Sequence, residues 1–412
     1  METKDTQAKA SNAADRDNKS DRVDNIDRVN RVSKVLNVSN DNHTQHTKHG
    51  WEVKKLGEVC ESDLGKTLNQ SKDKGLLRPY LCAINVLWDK FDLTTLKETR
   101  FEDSELERYS VKKGDLLICE GGDIGRAAIW NSDIVMLYQN ALHRVRLNKS
   151  INSRFVLLYL RHLKKSRILD TRYGKGVTIK HLVKSSLLSI PIPIPPMDEQ
   201  ERIVRELDCL SGVIERKREQ LKQLDALAQS IFYNLFGDPI SNEKGWSVKK
   251  FNKCYKLASG NGLSAKNIIY GGYPVYGGNG IIGHHHEFNS DGENIIIGRV
   301  GALCGNVRNV KGKAFITDNA FILTKKIDND NTFLLYLLRI LNLRKYAREA
   351  MQPVISNKGL ENIDIILPHL LLQEEFADKI EAIEKQKELL KRSIKEVETL
   401  FDARMDYYFG DT

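Results

Sequence analysis

Three stretches of the 412-residue chain carry residue types that could do chemistry, and spacing tests each of them. Gly65-Lys66-Thr67 has the ending of a phosphate-binding P-loop, whose N–H groups and lysine cradle a nucleotide. That loop needs a glycine five residues upstream, where Cys60 stands, so the reading fails. Gly121-Gly122-Asp123-Ile124-Gly125 lacks dinucleotide-binding spacing and reads as a tight turn after a strand. His284-His285-His286 offers metal ligands, but adjacent strand residues face opposite ways, so a polar turn or base-contacting loop is the better reading. No Asn-Pro-Pro-Tyr or Asp-Pro-Pro-Tyr tetrad is present to hold the amino group of a base for methylation. Asp238-Pro239-Ile240-Ser241 reads as a turn after a helix. None of the six cysteines lies within four residues of another, which predicts buried reduced thiols rather than a zinc or redox site. No Ser/His/Asp set is detectable, so catalytic and metal residues are expected to be absent.

Polar side chains on loops remain. In the first half they are Lys66, Arg78, Asn85, Arg126, Gln139, Asn140, His143, Lys175, Thr178 and Lys180. In the second half they are Tyr273, Tyr276, Asn279, His284, Arg299, Asn306, Asn319, Asn357 and Lys358. Arg, Asn and Gln pair two-pronged with guanine and adenine edges, whereas Lys and backbone N–H groups mostly hold phosphate. As a collection they are candidate DNA contacts.

The elements that carry them occur twice. Gly50-Trp51-Glu52-Val53-Lys54-Lys55 returns as Gly245-Trp246-Ser247-Val248-Lys249-Lys250. Asn140-Ala141 is matched to Asn319-Ala320, and Phe155–Leu160 to Phe333–Leu338. From Pro195 the chain aligns without a gap to its own end, Phe236-Gly237-Asp238 matching Phe409-Gly410-Asp411. One unit used twice is the economical reading. Each copy opens with short β-branched runs broken by Gly and Asn, which read as strands and turns, then a helix near 153–169 or 332–350. Each closes with a long helix. Its apolar seam is Ile203, Leu207, Leu210, Ile214, Leu221, Leu224 and Ile231 in the first, and Phe376, Ile380, Ile383, Leu390, Ile394 and Val397 in the second. A seven-residue repeat of that length predicts a coiled coil. Asp198 with Glu201 forms a capping box, and Gly237 with Pro239 ends the first helix. Lys217 and Lys387 interrupt the seams and are expected to reach solvent or acids such as Glu215 and Glu384.

Charge separates the parts. Residues 51–195 carry net +8 and 237–368 net +6, while 196–236 carry −2 and 369–412 carry −4. Basic heads on acidic rods suggest that the heads meet a polyanion and the rods meet protein. No apolar run approaches the ~18 residues of a membrane span, and no apolar leader segment opens the chain, so a cytoplasmic protein away from membranes is expected. Residues 1–49 read as a polar, disordered tail with one short helix spaced by Val23, Ile26, Val29, Val32 and Leu36.

These residues carry a family resemblance. Pro191-Ile192-Pro193-Ile194-Pro195-Pro196 followed by Glu199-Gln200-Glu201-Arg202-Ile203-Val204 resembles the junction in specificity (S) subunits of type I restriction–modification systems. Pro79-Tyr80-Leu81, Ala83–Val86, Gly114–Leu117 and Tyr273–Gly283 look like their target recognition domains, followed in order by Gly298–Gly301 and Gly305–Val307. The second junction departs, with a single Pro368 in place of the proline ladder. The resemblance implies an α+β fold. Two tandem target recognition domains, strand-rich mixed α/β globules at 50–195 and 237–368, are separated by spacer helices at 196–236 and 369–412. The helices would pair as an antiparallel coiled coil with pseudo-twofold symmetry. It also implies a non-catalytic, sequence-specific DNA-binding subunit that directs two modification (adenine methyltransferase) subunits and the restriction (translocase/endonuclease) subunits to a bipartite target in double-stranded DNA. S-adenosylmethionine, ATP and Mg would sit on those partners and no cofactor on this chain. A first spacer helix of about 58 Å leads us to expect half-targets centred about one DNA turn apart. The alternatives are a bifunctional DNA nuclease/methyltransferase chain and a coiled-coil scaffold with no DNA role.

Overall fold

The computed structural model describes residues 47–69, 71, 73–348 and 351–410. The helix expected over residues 23–36 lies outside them. The described residues divide into two compact units, one made of those up to 214 together with those from 397 on, the other of those within 215–396. Both long helices are shared between units: Met197–Phe236 begins in the first and ends in the second, and Leu370–Phe409 does the reverse.

The units repeat one architecture. In the first, a four-stranded antiparallel sheet runs in the order Cys60–Leu64, Leu142–Leu147, Leu116–Cys119, Ala127–Ile129. In the second the same order is Tyr255–Ser259, Ala320–Lys325, Glu293–Gly298, Val307–Lys311. Beside each lies a smaller sheet with a parallel pair, Leu76–Leu81 on Met136–Tyr138 in one and Tyr273–Gly277 on Phe315–Ile316 in the other. The repeated Gly-Trp segment acquires a role here. Glu52–Lys55 pairs with Pro191–Ile194, and Val248–Lys250 pairs with Asp364–Ile366, each as a two-stranded antiparallel ribbon. A ribbon has two free edges, so the proline ladder forfeits no interior hydrogen bond.

A buried glutamine locks each ribbon to its long helix. Gln200 donates from Nε2 to the Pro195 carbonyl (2.9 Å), and its Oε1 accepts from the Asn152 N–H (2.8 Å). Gln373 donates to the Pro368 carbonyl (2.8 Å) and accepts from the Asp330 N–H (3.0 Å). Asn152 and Asp330 in turn cap the head helices Ser153–Lys165 and Asn331–Ile340 with their side chains. One amide therefore joins three elements, and the departure from the proline ladder at the second junction leaves it intact.

Each head helix also receives the far end of a long helix. Phe409 meets Phe155 and Tyr159 edge-on in the first unit, and Phe236 meets Phe333 and Phe376 in the second. Within each unit the two long helices run antiparallel. Glu206 binds Arg404 and the Tyr408 hydroxyl in the first unit, and Asp225 binds Lys387 (2.6 Å) in the second. Of the seam residues, Ile203, Leu207, Ile214, Phe376, Ile380, Ile383 and Ile394 are buried, and Leu210, Leu221, Leu224, Ile231, Leu390 and Val397 are half-buried. Near its end the first helix buries Ala228, Phe232 and Phe236 and leaves Ile231 half-buried, because Phe333 of the second head helix and Phe376 of the second long helix fill that side. Lys387 meets both its expected partner Glu384 (2.7 Å) and Asp225. Lys217 is half-buried.

Replacing Gln200 or Gln373 with Ala leaves buried backbone groups unpaired, and each is expected to lower unfolding free energy by about 2 kcal/mol. A urea midpoint unchanged in both variants would contradict the clamp. Burial alone would lower the Lys387 pKa, but its bonds to Asp225 and Glu384 outweigh this and raise it. Its stabilisation is thus complete below the ordinary lysine pKa of about 10.4 and is lost as pH rises through the folded value. Lys387→Leu should match wild type within about 1 kcal/mol at pH 7, because both acids keep solvent, and should flatten the alkaline loss seen in a melting series to pH 11.5. A steep alkaline loss persisting in the variant would refute this.

Candidate nucleic-acid interface

In each unit four loop segments converge at one end of the four-stranded sheet, tied by backbone hydrogen bonds. In the first unit Lys66 N–H donates to Tyr138 O, Asn140 N–H to Lys66 O, Glu120 N–H to Ala141 O, and Leu182 N–H to Glu120 O, over 2.6–3.1 Å. In the second, Asn261 N–H donates to Ile316 O, Asp318 N–H to Asn261 O, Arg299 N–H to Asn319 O, and Ile355 N–H to Arg299 O, over 2.8–3.1 Å. A Cβ at Gly65 would lie 2.5 Å from the carbonyl oxygens of Tyr138 and Gln139, and Gly260 is pressed against Ile316 and Thr317 in the same way. Only glycine permits that approach. This network shows that Asn140 corresponds to Asp318 and Ala141 to Asn319, so the match of Asn140 with Asn319 is one residue out of register.

The fourth segment is a strap. Lys175 and His181 exchange two backbone hydrogen bonds of 2.8 Å, and Arg348 and Val354 do so at 3.0 and 3.4 Å. The first strap exposes Lys175, Val177, Thr178 and Ile179, with Lys180 half-buried.

The structure sorts the candidate side chains. Three in the first unit are internal and cannot reach a base. Lys66 is buried, donating to the Arg100 carbonyl (2.8 Å) and to Glu105 (2.6 Å). Asn85 is buried, accepting from Cys82 N–H (2.9 Å) and donating to Asp92 O (3.0 Å). His143 is buried with Nε2 2.6 Å from the Leu182 carbonyl, and burial holds its pKa below the ordinary histidine value. Polar type on a loop-like stretch misled here, because each builds a turn or braces a strand. Arg78 is half-buried and pairs with Asp103 (3.4 Å). Arg126 donates to Ala83 O (2.7 Å), and Gln139 Oε1 accepts from Ala141 N–H (2.6 Å). Gln139, Asn140 and Arg126 lie in the loop cluster with the strap residues Lys175, Thr178 and Lys180.

In the second unit Arg299, Asn306 and Asn319 share the cluster. Arg299 donates to Ser259 Oγ (3.2 Å) and Asp318 O (3.4 Å), with its guanidinium 5.3 Å from the Phe321 ring centroid. Asn279 reaches the cluster's edge through Arg308, which donates to its carbonyl (2.6 Å). Asn357 donates to Leu257 O (3.4 Å), and Lys358 beside it is exposed. Tyr273, Tyr276 and His284 lie on the smaller sheet and its hairpin rather than on the four loops. Sequence reasoning passed over Glu120, Arg308 and Arg348. Matching the two halves residue by residue around the strand ends would have found Glu120, which takes Arg299's place.

Among the described residues no group of three or more His, Cys, Asp or Glu side chains is placed to hold a metal, and His285 Nδ1 turns to the Asn267 carbonyl (3.0 Å). Burial pushes the Cys60 and Cys119 thiols up to about 11, so neither is a nucleophile at neutral pH. No described helix is long and apolar enough to cross a membrane.

Residues 48–226 and 243–399 match the family model described as the type I restriction modification DNA specificity domain. The chain is 32% identical over 195 residues to the type I restriction enzyme EcoprrI specificity subunit of Escherichia coli, covering 44% of this chain and about half (48%) of that one. It is 26% identical over 384 residues to the putative type I restriction enzyme MjaX specificity subunit of Methanocaldococcus jannaschii, covering 84% and 90%. The crystal structure of a type I restriction–modification S subunit from M. genitalium superposes with a TM-score of 0.56 at 16% identity, over 91% of this chain and 99% of that one.

The placements separate two lysines. Lys175→Ala should weaken DNA binding evenly across sequences and reduce the slope of log affinity against log salt by about 0.9, without changing stability. Lys66→Ala should instead cost about 3 kcal/mol of stability, because it strands Glu105 and the nearly buried Asp73. Salt titrations of binding and urea unfolding of both variants check the pair, and a Lys66→Ala protein of native stability would contradict the assignment.

Proposed function

Because the chain belongs to the DNA specificity family of type I restriction–modification systems, recognition subunits without catalysis of their own, we propose that it reads a split target in double-stranded DNA, one half with each unit, and brings modification and restriction subunits to it. One observation carries the reading: a single backbone hydrogen-bond scheme holds four loops in both units while the side chains on those loops differ. Glu120, Asn140 and Ala141 in one unit stand where Arg299, Asp318 and Asn319 stand in the other. Equivalent surfaces with unlike side chains read unlike sequences, so the half-targets differ.

Residues 50–195 and 237–368 serve as the target recognition domains, with 196–236 and 369–412 as the spacer helices that also seat the modification subunits. Transfer of a methyl group from S-adenosylmethionine to adenine, and ATP- and Mg-dependent cleavage, belong to the partners. Net positive heads and net negative helices support this division of labour.

Selection of a randomised duplex library by the purified full-length chain is expected to return two unlike motifs separated by unread base pairs, with strongly salt-dependent binding. A single contiguous motif, or no salt dependence, would overturn the reading. Removing residues 218–224 together with 386–392 shortens each long helix by about 10 Å. The two motifs should persist while the unread spacer changes. Methylation of DNA by the chain alone with S-adenosylmethionine would favour an enzyme instead.

A further inference from the structure

Glu120 and Arg299 occupy the same backbone position in the two units. Each follows the third strand of its four-stranded sheet, Leu116–Cys119 or Glu293–Gly298. Each donates its N–H to the loop before the second strand, to Ala141 O (2.9 Å) or Asn319 O (2.8 Å). Each accepts at its carbonyl from the segment after the strap, Leu182 N–H (2.6 Å) or Ile355 N–H (2.8 Å). The side chains have opposite charge, and their surroundings change with them. Arg299 lies over the Phe321 ring, an arrangement that favours a cation. In the first unit the residue in that place is His143, and the Glu120 carboxylate sits 3.1 Å from His181 Nδ1 with a fifth of its side chain exposed.

A carboxylate on a surface that meets DNA repels phosphate, so phosphate binding gives it no purpose there. Its oxygens only accept hydrogen bonds, and cytosine presents its N4 amino group in the major groove to such an acceptor. Guanine presents O6 and N7, which suit the donor pair of an arginine. We propose that Glu120 and Arg299 are equivalent specificity-determining residues of opposite preference, Glu120 selecting cytosine in one half-target and Arg299 selecting guanine in the other. The proposal rests on the split-target reading above.

The test is library selection with the full-length chain and its Glu120→Arg, Arg299→Glu and Glu120→Gln variants. Glu120→Arg should change one position of one motif from cytosine to guanine, with the other motif unchanged and binding to the original target weakened about tenfold or more. Arg299→Glu should make the reverse change in the other motif. Glu120→Gln, nearly the same shape, should relax the preference at the same position, and it carries the test if the charge reversal unfolds the chain. Two motifs persisting unchanged in Glu120→Arg and Glu120→Gln would overturn this proposal alone and leave Glu120 as a partner for His181. A wild-type chain that selects no sequence would overturn the split-target reading and this proposal with it.

Discussion

Backbone hydrogen bonds between loops hold the candidate reading surface in each unit, with side chains such as Gln139, His143 and Arg299 bracing them. The N–H and C=O groups of residues 66 and 120, and the N–H groups of 140 and 182, pair with backbone, so this part of the loop frame does not depend on which side chains are carried. The same holds for both groups of residues 261 and 299 and the N–H groups of 318 and 355. This constraint explains how one architecture tolerates Glu120 in one place and Arg299 in its equivalent. It also explains the two glycines, Gly65 and Gly260, at which a side chain would strike the carbonyls of the neighbouring loop.

The frame beneath the loops depends on groups that reach across long sequence separations. Gln200 and Gln373 bind the strand ribbon, the cap of the head helix and the start of the long helix in a single buried amide. Phe409 and Phe236 bring the ends of the long helices onto head helices far away in the chain. The first unit therefore includes the end of the chain, and a domain division made along the sequence does not coincide with the compact bodies. Burying an aromatic ring on a head helix strengthens each closure through both area and edge-to-face geometry.

Surface electrostatics and internal electrostatics use the same residue types for different ends. Lys66 is an internal brace for Glu105 and a carbonyl, whereas Lys175 is free to meet solvent or phosphate. Arg404 and Tyr408 gather on Glu206 to join the long helices, and these bonds hold the Glu206 carboxyl below the usual carboxylate range.

The duplication, the two long helices, the separation of charge and the Pro-to-Gln junctions were all legible in the sequence. Each is a local pattern: a heptad seam or a repeated motif follows from residues near one another in the chain, whereas the expected capping box does not hold, because the first long helix already begins at Met197 and places Asp198 inside its first turn. Which polar residues face outward was not legible, because exposure is decided by partners far away in sequence. Asn85 and His143 have the composition of base readers, yet a turn and the Leu182 carbonyl consume their hydrogen bonds. The true register of the repeat likewise emerged only from the loop network. Insertions between strands shift sequence spacing, but the strand ends must still pair their backbone groups in one geometry. Glu120 and Arg299 both follow an apolar strand and adjoin glycines in the sequence, but it is the coinciding hydrogen bonds on both sides of them that fix one as the counterpart of the other, because unlike side chains give a sequence match nothing to align on.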